Sequence, residues 1–529
     1  MTIQYLTNAT IHTLNPQQPL ADTLAIRNGL ISAIGYAQAI LPKRTVGEDI
    51  EDLKGQTILP GFTDSHIHLL EYGLSLRRVD CDTPSRAACI ERIEQAAAVA
   101  KPGEWILGHG WDHNIWPDGT GSHFDLDGFS KDNPVYLTHK SLHSAWVNFA
   151  ALKAANINES TPDPDRGHIE RDDSGEPNGI LLESAMQLVE RAIPELSDND
   201  RIISIQAAQQ ELSRLGITSV HDFDIWPCYQ NLSDMELNGQ LMIRVIKSIP
   251  AHILDEAIDK GIRSGDGSSF LRIGWLKLFS DGALGPQTAA MLMPYEKSKS
   301  TGMLFMNEQD ISEIGKKAMN AGISLAVHAI GDKANQEVLN GYALLREAGM
   351  IKKCRYQPRI EHVQLIAPPD MQRFSSLGIT ASMQPIHAVY DRKMAETHWG
   401  KRCANAYAWN ALIQNKTSLI FGSDAPVESP NPFLGLYAAV TRKSAADQDF
   451  SNSWIPEQCL NIHQALNAYI HTPQAITNPD GNSGSLQPGY LADLVVMPVD
   501  PVAELTDMLI KCSPSRTMVS GRWVFFKDQ

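Results

Sequence analysis

Ten short apolar runs alternate along most of this chain with stretches of helical periodicity, and this alternation limits the possible folds more than any other feature. The runs cover residues 58–66, 105–110, 134–139, 217–223, 241–248, 273–279, 323–328, 357–362, 378–384 and 417–423. Strands joined through helices pair in parallel, so the pattern predicts βαβ units. Eight such units close a (β/α)8 TIM barrel. The interval from His68 to Thr218 is too long for one helical crossover, and it holds the second and third runs. Setting those two aside leaves eight. The reading is therefore a TIM barrel over residues 59–481, with an inserted lid subdomain at about 75–190. Turn-forming residues crowd the insertion at 112–121 and 161–179.

Both ends of the chain read as β structure. Residues 3–14 and 24–34 are strand-like, and Asn28-Gly29 is a two-residue hairpin signal. Residues 491–497 and 517–526 repeat the pattern, with a turn at Ser520-Gly521. We expect residues 1–58 and 482–529 to meet in one small β-sandwich; separate terminal subdomains are the alternative.

The apolar runs end in residues that carry chemistry. The first ends in His66 and His68. In an extended strand, residues i and i+2 project to the same side, so the two imidazoles converge. An isolated H-x-H is most often a pair of surface histidines; the company it keeps reverses that reading here. Lys277 lies within a later run, and His328, His362 and Asp424 end three others. His221 and Asp222 end the run at 217–223 and also face the predicted mouth. Barrel enzymes place their chemistry at the carboxyl ends of their strands.

Composition narrows the partners. Net charge is 45 − 61 = −16, which opposes binding to nucleic acid or an anionic membrane. Cysteines stand at 81, 89, 228, 354, 403, 459 and 512, an odd number without a C-x-x-C pair. A disulfide framework is not expected, and a reducing compartment fits. The first residues lack the basic and apolar segments of an export signal, and no apolar stretch suits a membrane span. A cytoplasmic protein is the expectation, with no membrane or nucleic-acid partner; a homodimer is compatible with it.

These motifs identify a resemblance. L-P-G-F-x-D-x-H-x-H at 59–68, the strand-ending His328 and His362, G-S-D at 422–424 and G-S-L-Q-P-G-Y-L-A-D-L at 484–494 are similar to the amidohydrolase superfamily of metal-dependent hydrolases. H-S-A-W-V-N at 143–148, G-E-P-N-G-I at 175–180 and K-L-F-S-D-G-A-L-G at 277–285 resemble the branch that includes N-substituted formamide deformylases. Pro286-Gln287 departs from the Ser-Arg that relatives often carry, which bears on substrate contacts.

The resemblance implies two divalent metals: zinc by donor type, with iron or manganese as alternatives. His66, His68 and Asp424 would hold one, and His328 and His362 the other. Lys277 would bridge them as a CO2-derived carbamate, because an ammonium has no lone pair to offer. Asp424 would shuttle the proton in hydrolysis of a non-peptide C–N bond in a small amide-type substrate. His143 would stabilise the oxyanion. Trp111, Asp112, His113 and Trp116 would line or cover the mouth, core packing being an equal alternative for the tryptophans, and His221, with Asp222, would meet substrate or support the groups that do. A binuclear hydrolase of a lactone or phosphoester is a second reading. A non-catalytic binding protein is a third, opposed by the retention of every expected ligand.

Overall fold

A computed structural model describes residues 3–44, 48–113, 116–139, 144–165, 167–445, 452–478, 481–503 and 506–527. The chain divides into two compact units, residues 1–72 with 205–529, and residues 73–204.

The larger unit is built on an eight-stranded parallel sheet. Its strands are β1 (Phe62–Ile67), β2 (Ile217–Asp222), β3 (Arg244–Pro250), β4 (Leu271–Phe279), β5 (Leu325–Ala329), β6 (Arg359–His362), β7 (Thr380–Met383) and β8 (Leu419–Phe421). They pair in sequence order from β1 to β8. The circle closes through the backbone. The Asp424 N–H donates to the His66 carbonyl at 2.7 Å, and the His68 N–H donates to the Ala425 carbonyl at 2.9 Å. The chain is thus a (β/α)8 barrel. Helices cover the outer face and side chains fill the interior, so every residue of β1 and β2 is buried, polar ones included.

Two further sheets are built from the ends of the chain, the first from N-terminal strands alone and the second from both ends. One orders strands Leu30–Gly35, Thr23–Arg27, Gln4–Thr7 and Asp49–Asp52. The other orders Arg522–Phe526, Arg516–Val519, Leu494–Met497, Thr57–Pro60, Thr10–His12 and Leu20–Ala21. Leu6, Ile11, Leu24, Ile58, Leu494, Val496 and Met518 pack into their shared core. Both two-residue turns have left-handed backbones, with φ of 54° and 78° at Asn28-Gly29 and 50° and 71° at Ser520-Gly521, the geometry of a type I′ hairpin. The turns abut. A Cβ on Gly29 would stand 2.8 Å from the Ser520 carbonyl oxygen, so glycine permits the approach.

The smaller unit has its own six-stranded sheet, ordered Gly167–Arg171, Pro177–Glu183, Ser144–Val147, Val135–His139, Ile106–Trp111 and Val79–Asp80. The second and third apolar runs of the sequence are strands of this sheet, not of the barrel. Its core includes Trp111, Trp116 and Trp146 with Cys81 and Cys89. All seven cysteines are free. No helix among the described residues is long and apolar enough to cross a membrane.

Arg244, at the start of β3, ties the barrel to the terminal sheets. Its Nε donates to Asp493 Oδ2 at 2.6 Å and its Nη2 to Asp493 Oδ1 at 3.0 Å. Nη2 also donates to Ser520 Oγ at 2.7 Å. Removing one partner of a buried pair strands the other charge. Asp493→Ala should therefore cost about 3 kcal/mol in urea unfolding while leaving the metal content of folded protein unchanged.

Candidate metal centre

The barrel mouth gathers the residues that end its strands. His66, His68, Lys277, His328, His362 and Asp424 line one cavity of about 370 Å³. Its walls add Phe279, Leu284, Ile330, Met394 and Val427, with Gln364, His387, Asp391 and Glu428 as further polar groups.

Asp424 is the hub. Its Oδ1 lies 3.5 Å from His66 Nε2 and 3.4 Å from His68 Nε2. His362, His66 and Asp424 each offer a ligand atom within 4.8 Å of the others, and the His328 and His362 rings are 4.5 Å apart. Contacts of 3.4–3.5 Å are long for N–H···O hydrogen bonds. They match the edge of a coordination tetrahedron, since two donors about 2.1 Å from one cation stand about 3.4 Å apart. The spacing therefore fits a metal between the donors.

Electrostatics agrees. Burial, aided by Lys277, pushes His66 and His328 down to about 4, and burial holds His362 well below its ordinary value. These imidazoles are neutral at pH 7, the form that ligates. Burial alone would raise Asp424, but hydrogen bonds from His387 and His68 and the nearby imidazoles outweigh it and keep the carboxylate ionised. Burial opposes charge on His68 too, yet Asp224 and Asp424 lift it to about 9, so a metal there would displace a proton.

Lys277 makes no ion pair among the described residues. Its Nζ sits 4.6 Å from the Phe223 ring centroid and 5.0 Å from that of Phe279. Burial lowers it to about 8, which leaves a share of neutral amine at physiological pH.

The site rests on buried polar contacts that sequence reasoning did not single out. His66 Nδ1 lies 2.6 Å from Glu361 Oε2. Arg359, fully buried, donates to the same oxygen at 2.9 Å, to Ser382 Oγ at 2.7 Å and to the Ser65 carbonyl at 2.6 Å. His362 Nδ1 lies 3.0 Å from Gln384 Oε1, and His387 Nε2 lies 3.3 Å from Asp424 Oδ2. Carboxylate and amide partners of this kind fix a ligand's tautomer and orientation. The only trace of Arg359 and Glu361 in the sequence is a pair of charges inside an apolar run.

Backbone strain marks the same place. His362 and Asp424 adopt φ of 72° and 63°, a region that non-glycine residues rarely hold. Gly422 lets β8 reach β1: a Cβ there would stand 2.4 Å from the His66 nitrogen. Asp64 then pins the strand ends, accepting the Ser423 N–H at 3.0 Å and the His66 N–H at 3.1 Å.

His221 is fully buried, 2.9 Å from Arg359, and does not line the cavity. Trp111 and Trp116 are core residues of the smaller unit, and the Trp111 indole donates to the Leu137 carbonyl at 2.9 Å. Asp112 belongs to the same unit, with its Oδ1 3.4 Å from His139 Nε2. His143 lies outside the described residues.

A closed parallel barrel with imidazole, carboxylate and lysine donors at its mouth has the architecture of a metal-dependent hydrolase. Residues 49–525 match the model of the Amidohydrolase family, and the chain belongs to that family. It is 31% identical to Protein LONG AFTER FAR-RED 3 of Arabidopsis thaliana, over 98% of this chain and 91% of that protein. It is 25% identical to the N-substituted formamide deformylase of Arthrobacter pascens, over 97% of this chain and 96% of that enzyme. The crystal structure of an uncharacterized metal-dependent hydrolase from Pyrococcus horikoshii OT3 superposes with a TM-score of 0.78 at 29% identity, covering 96% of this chain and 99% of the other.

Glu361→Gln should weaken metal binding at the barrel site by about 10- to 100-fold, the usual scale for losing an orienting partner. Calorimetric titration of chelator-treated protein would measure it, and unchanged affinity would remove Glu361 from the centre.

Proposed function

We propose that this amidohydrolase-family enzyme hydrolyses a non-peptide C–N bond in a small amide or N-substituted formamide, using two divalent metals, best matched by zinc. The convergence of six donor-type side chains on one apolar-walled cavity carries the reading. The likeness to a formamide deformylase supports the choice of bond.

His66, His68 and Asp424 would hold one ion, and His328 and His362 the other. Mixed imidazole and carboxylate-type oxygen donors suit zinc. Lys277 would bridge them after its neutral amine adds to CO2, forming the carbamate and releasing a proton. When bound, such ions bring the pKa of water toward neutrality and polarise a carbonyl. The remaining work falls to the chain. Asp424, ionised and facing the cavity, accepts the proton that water sheds on attack and returns it to the departing amine. Glu361 and Gln384 hold His66 and His362 in the required tautomers. Phe279, Leu284, Ile330 and Val427 exclude water from the apolar part of the substrate. His143 would donate to the developing oxyanion.

Turnover of a panel of N-formyl amines, N-acyl amines, lactones and phosphoesters by metal-loaded enzyme tests the bond type. Preference for lactone or phosphoester would overturn it. Asp424→Asn should retain fold and some metal, because an amide oxygen can still ligate, while kcat falls by about two to four orders of magnitude. Near-wild-type turnover by the metal-loaded variant would refute the proton shuttle.

A further inference from the structure

The smaller unit carries a second set of metal-type donors that the barrel chemistry does not use. Strands Ile106–Trp111 and Val135–His139 are parallel neighbours. Their pairing shifts between His109 and Trp111, so that Trp111 falls opposite His139. Such an irregularity re-aims the side chains that follow it. Asp112 and His113 leave the carboxyl end of the first strand, and His139 ends the second.

These three residues each offer a ligand atom within 4.8 Å of the others. Asp112 Oδ1 stands 3.4 Å from His139 Nε2, and the His113 and His139 rings are 5.1 Å apart. The carboxylate–imidazole spacing repeats the 3.4 and 3.5 Å between Asp424 and the histidines of the barrel mouth. It is again long for a hydrogen bond and again the edge of a tetrahedron about a cation with donors at about 2.1 Å. His113 Nδ1 is a buried nitrogen without a hydrogen-bond partner. The edge of the Trp111 ring meets His139 with centroids 4.6 Å apart at 85°, and the indole is itself anchored on Leu137. That packing fixes the orientation of the imidazole.

We propose that Asp112, His113 and His139, all within residues 73–204, bind one divalent ion of the zinc class. Two imidazoles and one carboxylate suit zinc, cobalt or nickel far better than calcium or magnesium, which favour all-oxygen shells. The three donors would fill three positions of a tetrahedral shell. The sequence reading set Asp112 against substrate; this geometry gives it a metal instead.

The probe is Co2+ added to full-length, chelator-treated protein, read by its visible absorption and by elemental analysis, with circular dichroism to confirm folding. In a His66→Ala/Asp424→Ala background, which removes donors from the barrel centre, we expect at least one equivalent of Co2+ to remain. Adding His113→Ala should abolish the tetrahedral absorption and lower the count by one. Asp112→Asn, which keeps size and removes charge, should weaken binding in the same background. Wild type and His113→Ala with the barrel intact should likewise differ by one equivalent. The proposal is overturned if the folded barrel variant binds no Co2+, or if folded His113→Ala and Asp112→Asn proteins bind as much and as tightly as their parents. Because each comparison keeps the barrel the same in variant and parent, failure here leaves the proposed hydrolysis untouched, and failure of that hydrolysis leaves this site untouched.

Discussion

A carboxylate with no exposed surface, Glu361, lies between the Arg359 guanidinium and the His66 imidazole. Burying a lone charge in a barrel interior would be prohibitive. Here each charge is matched: burial would raise Glu361, but Arg359 and His66 hold it well below its usual range. Arg359 in turn reaches the carbonyl of Ser65 on β1, Ser382 on β7 and His221 on β2. One ion pair thus joins four strands of the sheet and sets the ring of the first metal-type ligand. An apolar replacement could fill the same volume without orienting His66.

The mouth shows the opposite treatment of charge. His66, His328 and His362 are held neutral, while Asp424 stays ionised and, with Asp224, lifts His68 to about 9. Lys277 has rings beneath it and no carboxylate at ion-pair distance among the described residues. The interior pairs its own charges, and the mouth sets an ionised Asp424 beside the lone pairs of three neutral imidazoles. A cation is the partner that such an imbalance favours. The strained backbones at His362 and Asp424 belong to the same arrangement, because strain persists only where surrounding structure dictates it.

Much of this was legible in the chain. The barrel followed from counting apolar runs, because parallel strands covered on both faces are enriched in apolar residues. The turns at Asn28-Gly29 and Ser520-Gly521 followed from the need for positive φ at both positions. The metal-type residues followed from their place at strand ends. His221, near the end of another strand, faces Arg359 and lies outside the cavity lining. Trp111 and Trp116 proved to be core packing, the reading that periodicity could not separate from a site role.

Sequence alone determined which segments are strands, that they run parallel and which of them end in donor atoms, because these depend on local periodicity and residue chemistry. Tertiary structure decided which donors meet. Strict alternation along R-I-E-H would send Glu361 and His362 to opposite sides of β6, yet both approach His66, at 2.6 Å and with rings 4.9 Å apart. The left-handed turn at His362 brings its ring round, and the missing side chain at Gly422 lets Asp424 close on β1. Both effects come from the closure of eight strands into a circle, which fixes distances between residues hundreds of positions apart. No local pattern carries that information.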